Sequence, residues 1–291
     1  MTSYVEPPLP PGDAVQLSGR GRTFVRVAPG PTADAPTVLL LHGWTATADL
    51  NWFRCYEPLQ HHFRVVALDH RGHGRGIRSR RPFRLEDCAD DAAALAGVLG
   101  IHQMIAVGYS MGGPVAQLLW KRHRSLVRGL VLCATSRNFG RSPRERAMFA
   151  SMLGLSGLAQ LTPRPVQRQV ADRLFARRLA QTPLGPWAAA ELRRHDAAML
   201  LQAGWAIGSF SSADWIGAVD VPTAVVMTTQ DSVVAPSRQQ RLAAAIPGAR
   251  IFTVDADHAA CVAAPRTFVP ALVAACRTVH ENTTSAWPAA Q

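Results

Sequence analysis

The chain has 291 residues, 48% of them hydrophobic and 18% charged, and a formal net charge of +11. That composition is globular and excludes a chain too small for a core: about three quarters of the unfolded surface can be buried at this length, in one large α/β domain with an insertion or in two modest domains. Thirty of the 31 basic residues are arginine, with Lys121 the sole lysine, a ratio that marks a GC-rich genome rather than selection for function.

The first residues, "MTSYVEPPLPPGDAV", lack a basic segment followed by an apolar one, so no secretory leader is expected. Residues 1–20 read as a strap. Strands are expected at 23–27, 37–42 and 63–69. The last runs into "HRGHGRGIRSRRPFR" (70–84), which carries six arginines. A solvated basic loop is the favoured reading, an anionic substrate or membrane surface the second, and phosphate neutralisation on a nucleic acid the third. The loop lacks the lysine of a phosphate-binding P-loop and the spacing of a dinucleotide motif. His70 and His73 have no acidic or cysteine pattern beside them, so they read as structural and no metal is expected.

A helix is expected at 87–100, a strand at 104–109, a helix at 114–124 and a strand at 127–134. The uncharged run from Ala92 to Trp120 contains His102, Gln103, Gly108, Ser110, Gly112, Gly113 and Pro114, so it fails as about 20 continuous apolar residues and no membrane span is expected. From 138 to 214 the alternation stops. That stretch is rich in Arg, Ala, Leu and Met at helical spacing, with Pro163, Pro165, Pro183 and Pro186 as breakers, and reads as a helical cap. A strand at 223–229, a helix at 237–246, a strand at 250–255 and a helix at 265–276 follow. The tail 280–291 reads as a loose end.

Strand–helix alternation with continuous β-branched and leucine runs predicts a mostly parallel central sheet with helices on both faces. The core is expected in two parts, 1–137 and 215–291, around the cap at 138–214. The five cysteines (55, 88, 133, 261, 276) form no Cys-x-x-Cys pair or metal spacing, and read as reduced thiols in a cytoplasmic protein.

"VGYSMGG" (107–113) places a serine between glycines where a strand stops and a helix starts. Gly108-Tyr109-Ser110-Met111-Gly112 matches G-x-S-x-G in that context, where a sharp turn lifts the hydroxyl above the sheet's carboxyl edge. A passive glycine-rich turn would look similar, so the serine needs partners. A base must take its proton, and an acid must orient the base. Asp231, just past the 223–229 strand, supplies the acid. His258, 27 residues on and past the next strand, supplies the base. A cap for Asp231 and a surface loop for His258 are the plain alternatives for each alone; their order with Ser110 favours the triad. The backbone N–H groups of Met111 and Trp44 are the expected oxyanion donors, with His42 bracing the Trp44 loop rather than acting as a base. Tyr109, Met148, Met152 and Trp205 are the candidate substrate-binding residues.

"LLLHGW" (39–44), "VVALDHRGHGRG" (65–76), "VGYSMGG", "TTQDSVVAP" (228–236) and "DADHAA" (255–260) together resemble the α/β-hydrolase superfamily over about residues 20 to 280. The resemblance implies Ser110 as nucleophile, His258 as base, Asp231 as orienting acid, Trp44 and Met111 at the oxyanion hole, and the 138–214 insertion as a cap over an acyl pocket. It implies a carboxylesterase- or lipase-like serine hydrolase acting on a small-molecule ester, with no cofactor. C–C hydrolase, haloperoxidase or perhydrolase, and menaquinone-pathway-type lyase chemistry share the machinery and stay open, as does a silent ligand-binding scaffold. Two departures stand out: Asp257 occupies the place of a glycine common before the histidine, and "HG" continues as Trp44 rather than as a glycine run.

Overall fold

In a computed structural model, residues 6–140, 142–163, 166 and 183–284 are described. Among them eight strands form one sheet: β1 (Gly12–Leu17), β2 (Gly21–Ala28), β3 (Thr37–Leu41), β4 (Arg64–Leu68), β5 (Met104–Tyr109), β6 (Val127–Cys133), β7 (Thr223–Thr228) and β8 (Arg250–Val254). Their spatial order is β1-β2-β4-β3-β5-β6-β7-β8. The first two strands run antiparallel to their neighbours, and β3 to β8 are parallel.

Side-chain alternation divides the sheet's two faces. Leu39, Leu41, Ala106, Leu130 and Leu132 point to one core layer. It is closed by α3 (Leu85–Val98), α4 (Gly112–Arg122) and α8 (Pro236–Ala245). Val38, Leu40, Val107, Tyr109 and Val131 point to the other. There α1 (Ala48–Trp52), α2 (Tyr56–Gln60), α9 (Ala260–Ala263) and α10 (Pro265–Thr284) cover it. Strands buried on both faces must be apolar throughout, which is why β3 and β5 read as unbroken runs.

The fold departs from expectation in four places. The strap contains β1, whose Val15 pairs with Thr23 across a hairpin turned at Gly19. α1 and α2, five residues each, were not expected. Pro186 does not break a helix but sits in the first turn of α6 (Gly185–Leu192), where its missing N–H has no partner to lose. The tail is helical through Thr284, with Asn282 Nδ2 donating to Thr278 O at 2.8 Å near the end of α10. Pro165 and residues 285–291 lie outside the described residues.

Between β6 and β7 the chain leaves the sheet to form α5 (Pro143–Leu161), α6 and α7 (Ala197–Ser209). A bridge between Asn138 and Ser211 and a hydrogen bond from Ser212 N–H to Arg137 O (2.8 Å) close its neck. α5 packs on α7 at two glycines one turn apart: a Cβ on Gly204 would strike Met152 Sδ, and one on Gly208 would strike the Phe149 ring. α5 starts with a capping box. Ser142 Oγ accepts from Glu145 N–H (3.1 Å), and Glu145 Oε2 accepts from Ser142 N–H (3.0 Å).

The basic loop is only partly solvated. Arg71 is buried and grips Asp91 with two hydrogen bonds (2.6 and 2.8 Å). Arg75 meets Asp49 (2.6 Å), Glu191 of α6 (3.5 Å) and Asp69 (3.7 Å), and lies 3.4 Å from the centre of the Phe24 ring. Arg80, Arg81 and Arg84 are exposed. The first half of the loop is interior because buried carboxylates need these guanidinium groups.

Candidate active site

β5 ends in a turn that only small neighbours permit. Ser110 has φ +51°, a left-handed conformation that costs a side-chain-bearing residue energy. Its N–H donates to Cys133 O (3.0 Å), and its carbonyl accepts from Thr135 Oγ1 (2.8 Å) and Gly113 N–H (2.9 Å). A Cβ at Gly108 would overlap the Gly112 carbonyl, and one at Gly112 would overlap the Leu41 carbonyl. Both glycines let β5, α4 and β3 close around the serine.

Ser110 Oγ lies 3.0 Å from His258 Nε2, and His258 Nδ1 lies 2.8 Å from Asp231 Oδ2. The tautomer that fits carries its proton on Nδ1, leaving Nε2 to accept from the serine hydroxyl. The Asp231 side chain is fully buried, while that of His258 is 20% exposed. Asp231 Oδ1 accepts from the N–H groups of Val233 (2.9 Å) and Val234 (2.7 Å). Its Oδ2 also takes Thr228 Oγ1 (2.7 Å) and Gln239 Nε2 (3.2 Å). Five donors suit an ionised carboxylate, which supplies only acceptors.

Met111 stands at the head of α4 and Trp44 in the loop after β3. Among the described residues neither backbone N–H has an acceptor. His42 fixes this loop. Its Nε2 accepts from His70 N–H (2.9 Å), so its Nδ1–H donates to Gly43 O (2.8 Å). Burial drives its pKa well below the ordinary histidine value, so it is a neutral brace.

Other expected residues fall elsewhere. Tyr109 faces the layer opposite α4, buried beside Trp52 and Phe268, and its hydroxyl donates to His258 O at 2.5 Å. It therefore holds the histidine's backbone and does not line a substrate cavity, because strand alternation points it with Ile105 and Val107. Met152 packs over Gly204 of α7. Met148 and Trp205 are exposed, at 48% and 38%.

Sequence reasoning missed a tie between the acid loop and the histidine loop. Asp257 Oδ1 accepts from His258 N–H (2.6 Å), Ser232 N–H (3.1 Å) and Ser232 Oγ (3.2 Å). Asp255 accepts from Thr229 Oγ1 (2.9 Å) and Gln230 Nε2 (3.1 Å). These donors, the His258 N–H first, hold the Asp257 carboxyl below the usual range. The unusual aspartate before the histidine was the available signal.

His42, His70 and His73, all buried, and the half-buried His195 form a row, with ring centres 4.4 Å (His42–His70), 5.3 Å (His42–His73) and 5.6 Å (His73–His195) apart. Among the described residues no His, Cys, Asp and Glu group has the geometry to hold a metal, and no helix is long and apolar enough to cross a membrane.

Residues 36–265 match a protein family described as alpha/beta hydrolase fold. An 81-residue stretch is 40% identical to the bifunctional esterase/perhydrolase DCH of Acinetobacter calcoaceticus, covering 28% of this chain and 29% of that protein. The fold is similar to that of a thermophilic esterase from Thermogutta terrifontis, with TM-score 0.75 at 23% identity, covering 93% of this chain and 99% of that one. It is also similar to the enol-lactonase from Burkholderia xenovorans, with TM-score 0.74 at 24% identity, covering 90% and 98%.

Proposed function

The chain belongs to the alpha/beta hydrolase fold family, and from that premise we propose a serine hydrolase that cleaves carboxylic esters of small to medium apolar acyl groups. The observation that carries this reading is the unbroken relay from Asp231 through His258 to Ser110, 2.8 and 3.0 Å. His258 Nε2 takes the Ser110 proton as Oγ attacks the ester carbonyl carbon. The oxyanion lies between the free N–H groups of Trp44 and Met111, the latter helped by the α4 dipole. The tetrahedral intermediate collapses, the alcohol leaves with the proton from His258, and the acyl group stays on Ser110. Water, activated by His258, then releases the acid. Asp231 holds the ring tautomer and steadies the imidazolium.

Residues 138–214 act in this reading as a cap, tied to the Trp44 loop by the indole bond to the Leu200 carbonyl. The substrate is a small molecule, with no nucleic acid, metal or cofactor involved. The partial likeness to an esterase/perhydrolase supports one second reading, in which hydrogen peroxide replaces water in the last step and the product is a peracid.

The test is initial rates on p-nitrophenyl esters from acetate to palmitate, for wild type and Ser110→Ala. The expected result is a chain-length optimum that falls by on the order of 10⁶ in kcat in the variant. Turnover surviving Ser110→Ala would sink the mechanism. Peracid formed on adding hydrogen peroxide, outpacing hydrolysis, would move the assignment to perhydrolase.

A further inference from the structure

The loop that carries Trp44 is held from two sides. On the sheet side, Gly43 N–H donates to Asn51 Oδ1 (2.9 Å), and Ala46 N–H donates to Gly43 O (3.3 Å). On the other side, the Trp44 indole Nε1–H donates to the Leu200 carbonyl of α7 at 2.8 Å, across 156 positions of sequence. The Trp44 ring atoms Cζ2 and Cη2 lie 2.9 and 3.3 Å from where a Cβ of Gly204 would stand. Thr47 Oγ1, at the loop's far end, donates to Glu191 Oε2 of α6 (3.3 Å). Between them Thr45 sits at φ +60°, a state a β-branched residue keeps only when its surroundings impose it.

We infer that Trp44 is a positioning residue whose indole N–H carries the seating of α7 on the core into the placement of its own backbone N–H. This rests on the serine-hydrolase reading and deepens it. An oxyanion donor works at about 2.7–3.1 Å from the developing charge, and one donor is worth about 10²–10³ in rate. Core contacts fix residue 43, but the side chain of residue 44 hangs from a helix of the insertion. An acyl group that lets α7 seat fully gains rate at the chemical step. One that props α7 away loses the second donor while still binding. Discrimination between acyl groups then falls on kcat rather than on KM.

Trp44→Phe keeps the apolar ring and removes the N–H. Gly204→Ala changes no residue of the loop and adds a methyl that meets the Met152 sulfur first and the indole second. Both are assayed for kcat and KM on the best p-nitrophenyl ester, and for affinity toward an alkyl boronic acid, which forms a tetrahedral adduct on Ser110 Oγ. The expected result for Trp44→Phe is a fall of about 10- to 100-fold in kcat, an equal fall in boronate affinity, and KM within about twofold. Gly204→Ala shows the same signature in smaller measure. If Trp44→Phe folds and raises KM alone, or matches wild type throughout, Trp44 is only a wall and the inference is wrong. Wild type that neither turns over esters nor binds the boronate overturns the serine-hydrolase reading itself, and this inference with it.

Discussion

Asp231 shows how one side chain can be fixed by its hydrogen bonds. Asn at this position would present an amide to His258 Nδ1 or to the Val233 and Val234 N–H groups, whichever way it turned. The ring would lose the tautomer that lets Nε2 accept a proton. Asp231→Asn should therefore lower kcat by about 10⁴, measured on the preferred ester. A loss of less than about tenfold would move the acid's role elsewhere. Tyr109→Phe removes the donor to the His258 carbonyl. The acceptor is only part-buried, so leaving it without its partner should cost about 1 kcal/mol, and the urea midpoint should drop slightly along with a modest loss of kcat. An unchanged midpoint would mean that water replaces the hydroxyl. The meeting of Ser110, His258 and Asp231 in space was legible because each follows a strand of the sheet in chain order. Tyr109 was misread because the motif says nothing about which face its second residue takes, whereas β5's alternation does. Asp257 drew notice as an oddity, but its bond to Ser232 joins two loops that only the fold brings together.

The elements were legible in proportion to the number of residues carrying their pattern. β5 and β3 are unbroken apolar runs, so their bounds were close. β1 begins beside Pro10 and Pro11 and ends at a glycine turn, with one short alternation between. α1 and α2 are too short to show a helical period. The contact of α5 with α7 was not legible at all, because Gly204 and Gly208 look like weak points in a helix until Met152 and Phe149 fill the space above them. That contact gives an element-scale prediction. Gly208→Val puts two methyl groups into the Phe149 ring and should part α5 from α7 without touching the sheet. Backbone hydrogen exchange within 143–161 should quicken while β3 to β6 keep wild-type protection. Uniform quickening would mean that the insertion and the sheet unfold as one unit. Ser142→Ala, which opens the capping box, should cost about 1 kcal/mol, read as a lower thermal midpoint. Its Glu145 partner also binds Arg238 of α8 at 2.5 Å, so losing the box loosens a link to the core as well.

For the whole molecule, the histidine row sets the response to acid. Residues 42, 70, 73 and 195 come from three parts of the chain, and no local pattern announces their meeting. Burial lowers all four pKa values: His70 to about 3, His195 to about 4, and His42 and His73 well below the usual value. The unfolded chain holds these rings near their ordinary pKa of about 6.5. Below about pH 6.5 the unfolded state therefore binds more protons at these rings than the folded one, and stability falls as pH falls. Asp69 works in the opposite sense. Burial raises its pKa to about 6, so from about pH 6 down to 4 the folded state holds a proton that the unfolded state lacks. The four rings outnumber the two carboxyls that work against them, Asp69 and Glu191, whose pKa burial also raises, so net stability still falls as pH falls through that window. His195 lies between α6 and α7 and accepts from Gly74 N–H at 3.0 Å, so protonation strikes the seam between the insertion and the core. Among the described residues neither ring nitrogen of His70 has a hydrogen-bond partner. His70→Leu removes one titrating group and two unsatisfied polar atoms, and keeps the backbone N–H that donates to His42. Thermal midpoints measured from pH 7.5 to 4.5 should fall steeply for wild type and less steeply for His70→Leu, by one proton's worth, about 1.4 kcal/mol per pH unit. Parallel curves would mean that His70 already carries its proton in the folded protein, and that the row is not what makes this fold sensitive to acid.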